Sequence, residues 1–196
     1  MSSDGFSLQS GKVEKYTSFF DEQAGNGIFV SPSYGPLKTA DMISNIARFV
    51  DEEPSGFYSL IIGTDSQTRK VDSGSEVDFV TAVIIYRKGK GARYFWKKNK
   101  RLFGSRESKK SSSSFLRDKI YTETLISLDV AKMIVPEIRK RVSPKKYDLE
   151  IHIDVGPLGP TREMIREVVG MVNGSGFTAK TKPESWGATS VADKHT

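Results

Sequence analysis

The stretch YSLIIGTDSQ, residues 58–67, places an aspartate at the end of an apolar run. Tyr58 to Thr64 reads as a strand, and Gly63-Thr64-Asp65-Ser66-Gln67 closes it with turn-forming residues. A side chain at the end of a strand faces a cleft, because the backbone turns away there. The arrangement recurs at Leu149–Asp154, an alternating strand that ends on Asp154, after which Val155-Gly156-Pro157-Leu158-Gly159-Pro160 turns the chain sharply.

After this strand, Val77 to Tyr86 and Ala92 to Trp96 are two further strands, joined by linkers short enough for an antiparallel meander. Lys97 to Ser114 lacks periodicity and reads as a mobile basic loop, with Ser114 as a cap for the next element. From about Phe115 to Arg141 a helix carries Leu116, Ile120, Ser127, Ala131 and Ile134 on one stripe, and Glu123 falls on that stripe. A buried carboxylate is costly unless it is paired or bound to metal. Pro160 starts a helix with Met164, Ile165, Val168, Met171 and Val172, ended by Asn173-Gly174. Phe177 to Thr181 is a last strand, and a C-terminal helix carries Asp193 and His195.

Before this core, residues 1 to 27 form a polar leader ending in Gly25-Asn26-Gly27, Ile28 to Val30 is extended, and residues 31–36 are turn-rich. Thr39 caps a helix with Met42, Ile43, Ile46, Phe49 and Val50 at helical spacing, closed by Pro54. The expectation is one mixed α/β domain over residues 28–196. Its central mixed five-stranded sheet, in the order β-β-β-α-β-α-β-α, is flanked by helices, with an extra helix at the N-terminal side.

Composition narrows the chemistry. The absence of cysteine excludes disulfides, thiolate nucleophiles and cysteine-held zinc, and two histidines leave any metal to oxygen ligands. No apolar run approaches the roughly 20 residues of a membrane span and no secretory signal opens the chain, so a cytoplasmic protein is expected. Between Arg87 and Lys119 stand 13 Lys/Arg against 2 Asp/Glu, so this one segment owns the net charge of +6 and the rest of the chain is net negative. Such a segment suits phosphate backbones once a phosphate-cleaving site lies nearby; alone it is a solubilising loop.

Asp65, Glu123, Asp154 and Asp193 are the candidate site. Singly, each has an ordinary reading as a turn aspartate, a surface glutamate, a helix cap or a terminal charge. Jointly, two strand ends and two flanking helices would bring four carboxylates together, and divalent Mg²⁺ or Mn²⁺, as two ions, would relieve their repulsion and serve phosphodiester hydrolysis.

The motifs GTDSQ, YTETLISL, HIDVGPLGPTREMI and SWGATSVADKHT, in this order, resemble the ribonuclease H superfamily and more closely its bacterial YkuK-type family, from about Ile28 to the end. The resemblance implies a ribonuclease H-like fold. It also implies that Asp65 bridges two ions, that Glu123 and Asp154 complete the leaving-group ion's site, and that Asp193 holds the ion that activates water. Products would then carry a 3′-hydroxyl and a 5′-phosphate.

Around these carboxylates, Ser66, Gln67, Lys97, Lys98, Lys100, Arg101, Lys180, Lys182, Lys194 and His195 are the expected contacts to nucleic acid, His195 also as a proton shuttle. His152 reads as a packed residue near Asp154, and Trp186 as an anchor for the last helix or a base-stacking ring. The leading expectation is a metal-dependent nuclease on RNA, DNA or a hybrid. Its rivals are a nucleic-acid-binding module of the same fold without catalysis, and a sugar- or nucleotide-phosphate enzyme related to the actin-like ATPases.

Overall fold

In a computed structural model, residues 27–72, 74–104, 112–157 and 161–195 are described. Strands β1 (Ile28–Ser31) and β2 (Gly35–Lys38) form a hairpin, and helix α1 (Thr39–Asp51) follows. The turn-rich stretch thus supplies both a turn and a strand. Thr39 does not cap α1; its hydroxyl donates to the Gly27 carbonyl at 2.9 Å, pinning the helix start to the strand entrance. The apolar spacing of α1 holds, with Met42, Ile43, Ile46, Phe49 and Val50 all buried.

Strands β3 (Tyr58–Val71), β4 (Gly74–Arg87) and β5 (Gly91–Gly104) form an antiparallel meander, paired along all 14 residues of each. This overturns two expectations. Asp65 lies within β3 rather than at its end, opposite Val80, and Lys97 to Gly104 belong to β5 rather than to a loop. Polar residues extend these strands because the neighbouring backbone satisfies their hydrogen bonds; no buried face is needed. Residues 105–111 of the expected basic loop, residues 1–26 of the leader and Pro160 lie outside the described residues.

Helix α2 (Ser112–Arg139) then leads to β6 (Tyr147–His152), a 3₁₀ turn (Arg162–Met164), α3 (Ile165–Gly174), β7 (Thr178–Lys180) and α4 (Trp186–His195). The sheet has seven strands in the order β2-β1-β5-β4-β3-β6-β7, with β6 and β7 parallel to β3. The five expected strands are the run from β5 to β7, and the hairpin β1-β2 widens the sheet through the pairing of Val30 with Trp96.

Strand alternation divides the core. Leu60 and Ile62 of β3 pack with the apolar stripes of α1, α2 and α3, whereas Ile61 packs with Ala82, Ile84 and Val191 of α4 on the opposite face. Two glycines let α4 approach closely. A Cβ at Gly63 would lie 2.7 Å from that of Ala188, and one at Gly187 would lie 2.8 Å from Ile61 Cγ2. Among the described residues no helix is long and apolar enough to cross a membrane.

Candidate active site

The pitch of α2 against β3 places Glu123. Ser127 donates to Thr64 Oγ1 at 3.0 Å, and Ser66 donates to Glu123 Oε1 at 2.5 Å. Four residues back along the helix, about 6 Å, match two residues forward along the strand, about 6.6 Å, so the two contacts support each other. Thr64 also shares a hydrogen bond of 3.0 Å with Thr81 of β4. This hydroxyl chain fixes the helix register, and Glu123 is buried as its place on the stripe anticipates.

Asp65 and Asp154 come together where β3 and β6 part. Their parallel pairing ends at Gly63 and His152, and each aspartate lies two residues beyond that point. The strand expected to end on Asp154 stops at His152. Asp65, Glu123 and Asp154 line one cleft of about 250 Å³ with Ser66, Lys119, Thr161 and Lys182. Asp193, near the end of α4, does not line it, yet its charge acts on Asp65.

Burial governs the electrostatics. Desolvation pushes the Glu123 carboxyl up to about 8, and the charges of Asp65 and Asp154 add to the rise while the Ser66 hydroxyl opposes it. Burial likewise raises Asp65, followed by the charge of Asp154, against the Ser66 amide, which donates to Asp65 Oδ1 at 2.7 Å. Lys119 donates to the Ser66 carbonyl at 3.3 Å, and the Lys182 ammonium stands 2.7 Å from Asp154 Oδ1.

A family profile described as ribonuclease H-like matches residues 41–196. The chain belongs to this ribonuclease H-like family. It is also similar to a Bacillus subtilis (strain 168) protein named "Uncharacterized protein YkuK", with 31% identity over 182 residues that span 88% of this chain and 99% of the relative. No solved structure gives a significant match.

In this ribonuclease H-like chain the expected contact residues scatter. Ser66 is buried in the lining of the cleft, with its hydroxyl on Glu123. Gln67 is exposed beside Asp65. Alternation sends Lys97 to the face covered by α1 and α2, over the Phe29 ring at 5.5 Å, where burial lowers its pKa. Lys98 and Lys100 emerge on the other face and pair with the buried Asp78 at 2.8 and 4.0 Å. Arg101 is partly buried on β5. Lys180 pairs with Glu184 at 3.3 Å, Lys194 stands over the Tyr94 ring, and His195 stacks on Trp96 with centroids 4.1 Å apart. His195 therefore tethers the end of α4 to β5, away from the cleft.

His152 is packed, as anticipated. Its Nδ1 accepts the Gly187 amide at 3.1 Å, which puts the proton on Nε2, 3.0 Å from Glu150 Oε2. Trp186 packs edge-on against Tyr86 and His152 while remaining half exposed. Two cleft residues, Lys119 and Thr161, do not stand out in the sequence. Lys119 has a readable signal all the same, since it precedes Glu123 by four residues and so shares its helix face.

Among the described residues, no three His, Asp or Glu side chains stand close enough to grip an ion as they are. The donor chemistry nevertheless fits a hard divalent cation. The acidic groups offer oxygen alone, and Asp154 already holds a cation, the Lys182 ammonium.

Proposed function

We propose that this protein is a divalent-metal-dependent nuclease that hydrolyses phosphodiester bonds of RNA, DNA or a hybrid. The observation that carries this reading is the meeting of Asp65, Glu123 and Asp154, from a strand, a helix and a strand-end segment, in one cleft flanked by two lysines. That arrangement suits a substrate that is itself an anion. In this reading Asp65, Glu123, Asp154 and Asp193 hold Mg²⁺ or Mn²⁺, as two ions. When bound, the ions neutralise charge on the scissile phosphate and acidify an attacking water.

The chain's own residues do the rest. Ser66 orients both carboxylates, its amide on Asp65 and its hydroxyl on Glu123. Glu123 carries its proton at neutral pH while the cleft lacks metal and must release it to become a ligand. Lys119 and Lys182 add positive charge at the rim, where a phosphate backbone would lie. Cytoplasmic action and a single functional domain over residues 28–196 belong to the same reading.

Incubation with end-labelled single-stranded, duplex and hybrid substrates in Mg²⁺ or Mn²⁺ tests it. Metal-dependent cleavage that Asp65→Asn abolishes is expected. Salt-sensitive binding that survives Asp65→Asn, with no cleavage of any substrate, would replace it with the binding-module reading.

A further inference from the structure

Lys182 sits in register with the site. The β6–β7 pairing ends at His152 and Lys180, and Asp154 and Lys182 each lie two residues beyond it. Asp65, Asp154 and Lys182 thus continue one row across three parallel strands. Its backbone is held, since the Lys182 amide donates to the Val155 carbonyl at 2.8 Å. Gly156 leaves room for its stem, for a Cβ there would lie 3.3 Å from that of Lys182. Only the tip is free to move: the Lys182 side chain is 53% exposed, whereas Asp154 is 22% exposed.

We propose that Lys182 is a displaceable counter-ion, which neutralises Asp154 in the metal-free cleft and passes to a phosphate oxygen of the nucleic acid backbone when a divalent cation binds. This rests on the metal-dependent reading above. An ammonium 2.7 Å from Asp154 Oδ1 already neutralises this carboxylate, and its repulsion of a second cation on the same group sets the two in competition. A half-exposed ion pair of this kind is weak, which lets it exchange. The direction of release follows from the fold. Lys119 already holds the α2 wall of the cleft, and the open side of Lys182 is solvent, from which an anionic backbone approaches. Lys180, paired with Glu184, does not line the cleft.

Calorimetric titration of Mn²⁺ into the full chain tests the exchange, with Lys182→Met keeping the stem and removing the charge, and Lys182→Arg keeping the charge. Lys182→Met should bind Mn²⁺ roughly three- to tenfold more tightly than wild type, and Lys182→Arg should not. With Ca²⁺ in place of Mn²⁺ to hold the cleft without turnover, Lys182→Met should bind a single-stranded oligonucleotide more weakly, with a salt slope lower by about one. Wild-type Mn²⁺ binding that Lys182→Met leaves unchanged or weakens would overturn the counter-ion role alone. Wild type that takes up no Mn²⁺ would overturn the metal-dependent reading and this inference with it.

Discussion

Glu123→Gln replaces a buried acid by a neutral group of the same shape that still accepts from Ser66. Burial pushes the carboxyl up to about 8 from an ordinary value of 4.5. Below pH 4.5 the folded and unfolded chains both carry the proton, so burial of the acid is without penalty. As pH rises from there, the unfolded chain gives up its proton and the folded chain keeps it, so wild-type stability falls until the folded group also ionises near 8. A tenfold difference in proton affinity between the two states is worth about 1.4 kcal/mol, so between pH 5 and 8.5 the wild type should lose roughly 4 kcal/mol relative to the variant.

The assay is urea unfolding followed by fluorescence of the two tryptophans, in EDTA, across that pH range. Buried His152 also titrates, its pKa lowered by desolvation, but it contributes equally to both proteins and cancels in the difference. A difference that does not grow with pH would refute the burial argument. Repeating the series in Mn²⁺ should narrow the gap at high pH, because a metal ligand is needed in its ionised form. The variant, lacking that carboxylate, should gain less.

Gly187→Ala should destabilise the protein by roughly 1–3 kcal/mol, read as a lower Tm, because the new Cβ meets Ile61, Ile84 and His152 within 3.2 Å. Ser66→Ala should cost roughly 1 kcal/mol of stability. It should also move the pH midpoint of Mn²⁺ uptake upward, since the Ser66 hydroxyl opposes the rise of the Glu123 pKa.

Burial makes part of this molecule legible in its sequence. The stripe of α2 is readable, Glu123 included, because Ile120, Ala131 and Ile134 repeat at helical spacing and the carboxylate falls between them. The far halves of β3 and β5 are not, because Thr68, Arg69 and Lys70 and the run from Lys97 to Arg101 have no uniform apolar face. Their strands are carried by ladder bonds to β4 and by the Asp78 ion pairs with Arg69 and Lys98. Register is equally silent. That Asp65, Asp154 and Lys182 form a row depends on pairings between strands distant in sequence, which spacing along one chain does not encode.

The fourth acid depends on a different set of contacts. Asp193 rides on α4, which reaches the sheet through the small residues Gly63, Gly187 and Ala188 and through the Gly187 amide on His152. At its far end, His195 lies flat on Trp96. The helix is thus held near both ends by His152 and Trp96, which do not line the cleft, and Asp193 comes within electrostatic reach of Asp65. The sequence suggests a substrate contact for His195, and the structure stacks its ring on Trp96 of β5, two residues beyond Asp193. Residues two apart on a helix point about 200° apart, so a histidine against β5 and an aspartate toward Asp65 are compatible only if α4 crosses the sheet between β5 and β3. Its packing on Ile61, Ala82 and Ile84, from β3 and β4, puts it there.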